Sequence, residues 1–384
     1  IFISGILYSQ TVFNRIIADT VGHITSSVLA SDTGYTLLTG TNNEYGVRSF
    51  AITSLDINGN RNWKKIVGDN NIEYWEGYSN SLKNDGEFFQ SSGSIKDLSV
   101  NEFAIFIIKY DNIFNIVDSA ILVKDSIYKS CFNQVRASDG CYYLSGAIVY
   151  PENETVYLLL LKINSDLEFI WGKNYTLANI SEAGDQIIET KDHDILIGGL
   201  TFTNYTNEDW YLLKTDTSGA IIWEKNYGHS TRRDGIIKGL IETSDSCYLA
   251  CGSYPAAKYG GSASGTILWD GCLRKINGDG DLIWTKNYRT YSKITNTQLI
   301  RFDNTIYSII NKNGDLYILG GEKSYVGTYR AYLQKISKNG DICWKRDYYA
   351  IEPGSTYQWL VSFQNTNDNG FILAGYGNKT GSLG

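Results

Sequence analysis

The sequence predicts an all-β fold: a seven-bladed β-propeller of four-stranded antiparallel blades. Two observations predict it. A Lys nine residues before a Trp recurs as Lys162/Trp171, Lys214/Trp223, Lys275/Trp284 and Lys335/Trp344. Degenerate copies stand at Ser54/Trp63 and Ser4/Phe13, and Lys109 opens a seventh copy with Asp118 in the Trp place. The second anchor is a turn, an apolar run and a closing glycine, at Gly40, Gly93, Gly146, Gly199, Gly252, Gly321 and Gly375. The first four steps are 53 residues, the fifth 69 and the sixth 54, a period that marks a repeat architecture.

Within each repeat the elements follow from local chemistry. Asp209 to Gly228, DWYLLKTDTSGAIIWEKNYG, reads as two alternating strands around a Thr-Ser-Gly turn. We label the strands A to D. A is a run such as 235–242, B ends at the closing glycine, C carries the Lys and D the Trp. Four short strands per repeat match a propeller blade. The A–B and C–D turns are tight, with Asp-Gly, Asn-Gly or Ser-Gly, while B–C and D–A are longer and share one face. Blade two is the most degenerate, lacking its Trp and carrying Tyr74-Trp75-Glu76 at its start. Blade five carries extra residues from Ser253 to Gly271.

The chain enters inside a blade. Residues 1–17 supply C and D, and residues 353–384 supply A and B, so the two ends are expected to form one closing blade of a single 1–384 domain. IFISGILYSQ also resembles the end of a secretory signal peptide. Ser4 and Phe13 fall on the Lys/Trp spacing and favour the strand.

Composition narrows the function. Aromatic residues are 14%, proline numbers only 3 and methionine is absent, which suits sheets and marks a chain that does not open at a translation start. A net charge of −7 argues against nucleic acid or an anionic membrane as partner, and no apolar run is long enough to span a bilayer. The signature Lys and Trp recur in nearly every blade. A catalytic residue is needed once, so the signature reads as packing: Trp fills the wedge between blades, and Lys stems lie over aromatic faces.

This pattern, a DGGY-like turn, a Gly-closed strand, D-x-YLLK and then W-x-K-x-YG, resembles the propeller repeats of secreted and surface proteins of the Bacteroidetes. The resemblance covers essentially the whole chain. It implies an extracellular or cell-surface, non-enzymatic module for binding or for a structural, even filamentous, assembly. Blade two lacks its Trp and several turns lack the DGGY glycine, which are departures from the pattern.

No catalytic set, cofactor site or metal site is expected. Asn277-Gly278-Asp279-Gly280-Asp281 alternates oxygen side chains like a calcium loop, but its twelfth place holds Tyr288, and other repeats have a turn there. Candidate binding residues are Tyr254, Tyr259 and Trp269 in the blade-five insertion, as apolar anchors for a protein partner or a second copy. His229, Arg232 and Arg233, in the loop before blade five, are candidates for an anion. Sequons at Asn153, Asn174, Asn179, Asn204 and Asn378 are candidate N-glycan acceptors, and glycans are also candidate ligands. Cys251 and Cys272 end and begin neighbouring strands and form a candidate disulfide, with buried thiols as the other reading. The alternative function is a propeller enzyme, quinoprotein-like or glycan-active, with its site on the B–C/D–A face or at the central channel.

Overall fold

In the computed structural model the described residues are all except 1, 7–13, 17–24, 78–80, 151, 153–154, 177–180, 204–206, 229–234, 256–268, 294–298, 325–328, 349–354 and 380–384. All their regular elements are strands, arranged as a β-propeller of four-stranded antiparallel blades. Six blades are each built from a continuous stretch of chain, not seven as the anchors count. Blade three, for example, is A Tyr128–Arg136, B Tyr142–Val149, C Val156–Ile163 and D Phe169–Tyr175. The remaining strands make a composite sheet from both ends. Phe2–Ile6 lies between Asn14–Ile16 and Phe371–Lys379, and Ser355–Asn365 follows. The sheets pack face to face, with apolar clusters between them joining side chains of adjacent blades.

Strand A is buried and strand D is half solvated, as in Phe169–Tyr175, where exposed residues alternate with partly buried ones until Tyr175 goes inside. Strand A carries a β-bulge beside the closing glycine in five of the six continuous blades and in the composite sheet. The register slips at Thr25/Ser27, Cys131/Asn133, Gly184/Gln186, Ile237/Gly239, Ile306/Ser308 and Leu360/Ser362. The slip presses the A backbone onto the glycine. A Cβ on Gly146 would lie 1.8 Å from Ser130 O, and one on Gly199 1.8 Å from Ala183 O. That approach is why glycine recurs at this place.

The W-x-K-x-Y end of strand D clamps the next blade. Each C–D turn begins with a side-chain acceptor. Asn277 Oδ1, for instance, takes the N–H of Asp279 (3.1 Å) and Asp281 (2.7 Å), so the calcium-like pattern is turn chemistry. The turn then passes through a left-handed residue, Gly219, Gly280 or Gly340. Tyr175, Tyr227 and Tyr288 donate their hydroxyls to the carbonyl oxygens of those three glycines at 2.8, 2.8 and 2.7 Å. A Cβ on Gly219 would lie 2.8 Å from Trp171 and 2.9 Å from Lys173. Trp therefore sits in the wedge between blades, and the second basic residue crosses with it: Lys225 reaches Asp281 at 3.2 Å and Lys286 reaches Asp341 at 2.7 Å. The C-strand Lys joins its own blade to the next, as Lys162 pairs with Asp139 at 2.8 Å, lies 5.0 Å from the Tyr143 ring and donates to Thr217 O of blade four at 3.2 Å.

Blade two has lost the Trp. Asp118 stands in its place opposite Lys109. The left-handed turn residue of blade three is Leu167 (φ 60°), 4% exposed and packed with Leu122 and Ile105, where the blades that follow a Trp-bearing strand at 171, 223 and 284 use glycine. A large residue in this turn does not require loss of the Trp, since Phe114 (φ 58°) holds the same place in blade two and packs on Trp63. The DGGY glycine is likewise dispensable: the left-handed place is held by Gly140 in blade three but by His193, Ser246 and Asn369 elsewhere.

Candidate functional site

Two cavities walled by unpartnered polar groups lie against blade two. Its inner strand is split into Ile72–Glu76 and Lys83–Asn84. Glu76 pairs with Gly93 and Lys83 with Gln90, so residues 77–82 stand where other blades have a one-residue bulge. The detour is tied down on both sides. Gly77 N–H donates to Ser92 O (2.9 Å), Ser81 Oγ to Gly77 O (3.1 Å), and Leu82 N–H to Ser27 Oγ of blade one (3.1 Å). Leu82 is buried in the core between blades one and two, and strand alternation then turns Lys83 away from that core.

Lys83 lines a cavity of about 740 Å³ on the A–B turn face, shared by blades two, three and four. The other charged groups in its wall are satisfied. Arg136 pairs with Asp85 (2.7 Å), which also accepts the Tyr142 hydroxyl (3.0 Å). Burial pushes the Asp85 carboxyl up, but the N–H groups of Phe88 and Glu87, the Tyr142 hydroxyl and Arg136 outweigh it and hold it below the usual carboxylate range. Glu189 accepts from Ser138 N–H at 2.9 Å. Lys83 is given no hydrogen bond or ion pair by any described residue. The protein packed around its amine pulls its pKa down to about 8. Gln134 Oε1, in the same wall, is buried without a donor.

A second cavity, about 320 Å³, opens at the other end of the same strands, on the B–C/D–A face. Glu76 and Arg48 lie in its wall. Burial raises the Glu76 carboxyl to about 7, while its own backbone N–H, Arg48 and the Gly40 amide pull it back. Native Glu76 therefore takes up its proton at higher pH than the unfolded chain does. Between pH 4.5 and 7 the native state holds more protons, so stability from this group is full at low pH and is lost as pH rises through 7. Glu76→Gln is expected to be near neutral at pH 5 and to stabilise the protein at pH 8.5 by up to about 3 kcal/mol, read from urea midpoints at the two pH values.

The residues singled out in the sequence fare differently. Tyr254 is half-buried, packed on the blade-five core with the Arg274 guanidinium 5.5 Å from its ring. Trp269 begins strand C opposite Pro255, and its backbone N–H donates to Asp303 Oδ1 at 2.9 Å. Both are partly buried, Tyr254 in core packing and Trp269 in strand pairing. Tyr259, His229, Arg232 and Arg233 lie outside the described residues, as do Asn153, Asn179 and Asn204. Asn174 is exposed but its amide donates to the Tyr150 hydroxyl at 2.7 Å, and Asn378 is the partner of Tyr357 in strand pairing.

The Cys251–Cys272 disulfide is corrected. Gly252, not Cys251, stands opposite Cys272, so the two thiols point to opposite faces of the sheet and into different core clusters. Their burial as small apolar groups matches the other reading.

The sequence marked Trp75 and Glu76 only as part of an irregular blade start and passed over Lys83. The available signal was the failure of blade two to keep its repeat, which is where a residue needed once has room to differ.

No family model and no curated protein matches this chain. Among solved structures it is similar to the β-propeller domain of the Trilobed protease from Pyrococcus furiosus, at 10% identity over 96% of this chain and 97% of that one, with a TM-score of 0.47. An acylaminoacyl peptidase from Pyrococcus horikoshii matches at 12% identity over 92% of this chain and 49% of that one, TM-score 0.46. A putative exo-beta-1,3-galactanase from Bifidobacterium bifidum matches at 13% over 71% and 91%, TM-score 0.40.

Proposed function

We propose that this protein is a non-enzymatic binding propeller whose ligand carries a carboxylate that pairs with Lys83 in the 740 Å³ cavity. One observation carries the reading: Lys83 is the charge in that wall to which no described residue gives a partner, while Arg136, Asp85 and Glu189 are all engaged. Lys83 is half-buried, and an ammonium partly withdrawn from water without a partner costs some stability that an anionic ligand offsets. Gln134 Oε1 asks for a donor, so a hydroxyl next to the carboxylate fits the same wall. The composite sheet serves as the seventh blade, closing one ring over residues 1–384. In the setting that the repeats resemble, the module works outside the cell, at a surface or in an assembly with protein partners or further copies of itself.

The experiment is calorimetric titration with acetate, lactate, citrate and glucuronate, with inorganic phosphate and sulfate beside them. At least one carboxylate is expected to bind, and Lys83→Met to weaken it at least tenfold while the variant melts no lower than the parent below pH 8. The sign follows from linkage. Native Lys83 gives up its proton near pH 8 and the unfolded chain near 10.5, so the penalty of this charge is full below 8 and falls away as pH rises from 8 to 10.5. Affinity should fall by up to about tenfold per pH unit above 8. Unchanged affinity in Lys83→Met, or no carboxylate binding at all, overturns the reading.

The alternative, a propeller enzyme, is favoured by Glu76 alone. A carboxyl held near 7 is what a general acid or base needs. Turnover of a chromogenic glycoside that is lost in Glu76→Gln would establish it.

A further inference from the structure

We propose that the cavity on the B–C/D–A face is a second, independent site, and that it binds a neutral polyhydroxyl ligand of monosaccharide size. Its volume of about 320 Å³ lies at the small end of ligand pockets. Two buried polar atoms in its wall have no partner: Glu76 Oε2, an acceptor when ionised, and Arg48 Nε, a donor. They come from adjacent blades, Arg48 from strand C of blade one and Glu76 from the split inner strand of blade two. A hydroxyl group is the chemistry that gives a proton to one and accepts from the other, and a pair of hydroxyls on neighbouring carbons serves both.

The charges in the wall select a neutral ligand. Lys129, which also lines the cavity, is bound to Asp125. Above pH 7, where the test is run, ionised Glu76 offsets Arg48, so neither an anion nor a cation meets an uncompensated charge. The rest of the wall is apolar and aromatic. Phe103 and Tyr128 meet edge to face at 5.3 Å, and Trp75 joins them with the Arg48 guanidinium 5.7 Å from its ring. Rings of this kind cover the C–H surface of a sugar, while the two unpartnered atoms fix its orientation.

The test uses the Lys83→Met background, so that the first cavity contributes nothing and a failure of either site is seen separately. Glucose, galactose, mannose and N-acetylglucosamine are titrated by NMR, with glucuronate and glucosamine as charged comparators. At least one neutral sugar is expected to bind with a dissociation constant of about 1 mM or tighter and to shift the Trp75 indole N–H resonance. The charged comparators are expected to bind more weakly. Arg48→Met should lower affinity at least tenfold, and so should Val149→Phe, which fills the cavity from blade three without touching the polar pair. Absence of binding by all four neutral sugars overturns the proposal, as does binding that leaves the Trp75 resonance in place or survives both substitutions.

Discussion

Gly199→Ala should destabilise the protein by about 3 kcal/mol or more, although it adds one methyl group. The new Cβ falls 1.8 Å from Ala183 O and 2.8 Å from its carbonyl carbon, a distance that only backbone movement can relieve. Moving strand A there is costly. Its bulge at Gly184/Gln186 keeps the inner strand in register with Gly198 and Gly199, and Asp185 within the bulge holds Lys238 of blade five at 2.8 Å. Gly146→Ala should behave alike, since its Cβ would meet Ser130 O at the same distance. Gly278→Ala is the control. Its nearest neighbour is Ser246 O at 3.7 Å, so the change should lie within about 0.5 kcal/mol of zero. Urea denaturation of the three variants decides it, and a Gly199→Ala midpoint equal to that of Gly278→Ala would show that the bulge is not what demands glycine.

Removal of residues 1–17 should have the largest effect of all. Phe2–Ile6 pairs with Phe371–Gly375 at five positions, and at about 1 kcal/mol per ladder bond the loss is on the order of 5 kcal/mol, before any loss of side-chain packing. The truncation also bares the edge of Phe371–Lys379, which then offers unpaired donors and acceptors to other chains. A large fall in melting temperature in dilute monomer is the expected result. Pairing within one chain is favoured because the tether keeps the local concentration of the partner strand high. If dilute monomer melts unchanged while polymers vanish, the strand is exchanged between molecules instead, in head-to-tail contacts that build rings or filaments.

The closing glycines and the Lys/Trp spacing were legible because each blade solves the same packing problem, so one solution is written many times. Gly146, Gly199 and Gly252 each receive a strand-A backbone, and Tyr175, Tyr227 and Tyr288 each hold the next turn. The contact made across to blade two by Leu167 was not legible. Leu167 lies in the next repeat, and only the docking of blade two on blade three brings it onto Ile105 and Leu122. The supposed pairing of Cys251 with Cys272 failed for a related reason. Both lie on adjacent paired strands, within them rather than at their ends, and a register difference of one residue sends alternate side chains to opposite faces.

The sequence by itself therefore determined the all-β class, the blade period, the turn chemistry at Asp216 or Asn277, and the use of both chain ends in one sheet. These rest on contacts between neighbours in the chain or on a motif repeated at a fixed interval. The tertiary structure alone decided where chemistry is left over. Lys83 and Glu76 look like ordinary polar residues until the ladder shows that six residues stand between them, where other blades have a bulge of one. Whether a charge is paired depends on groups brought together from different blades, such as Arg48 and Glu76, and no local pattern of residues carries that information.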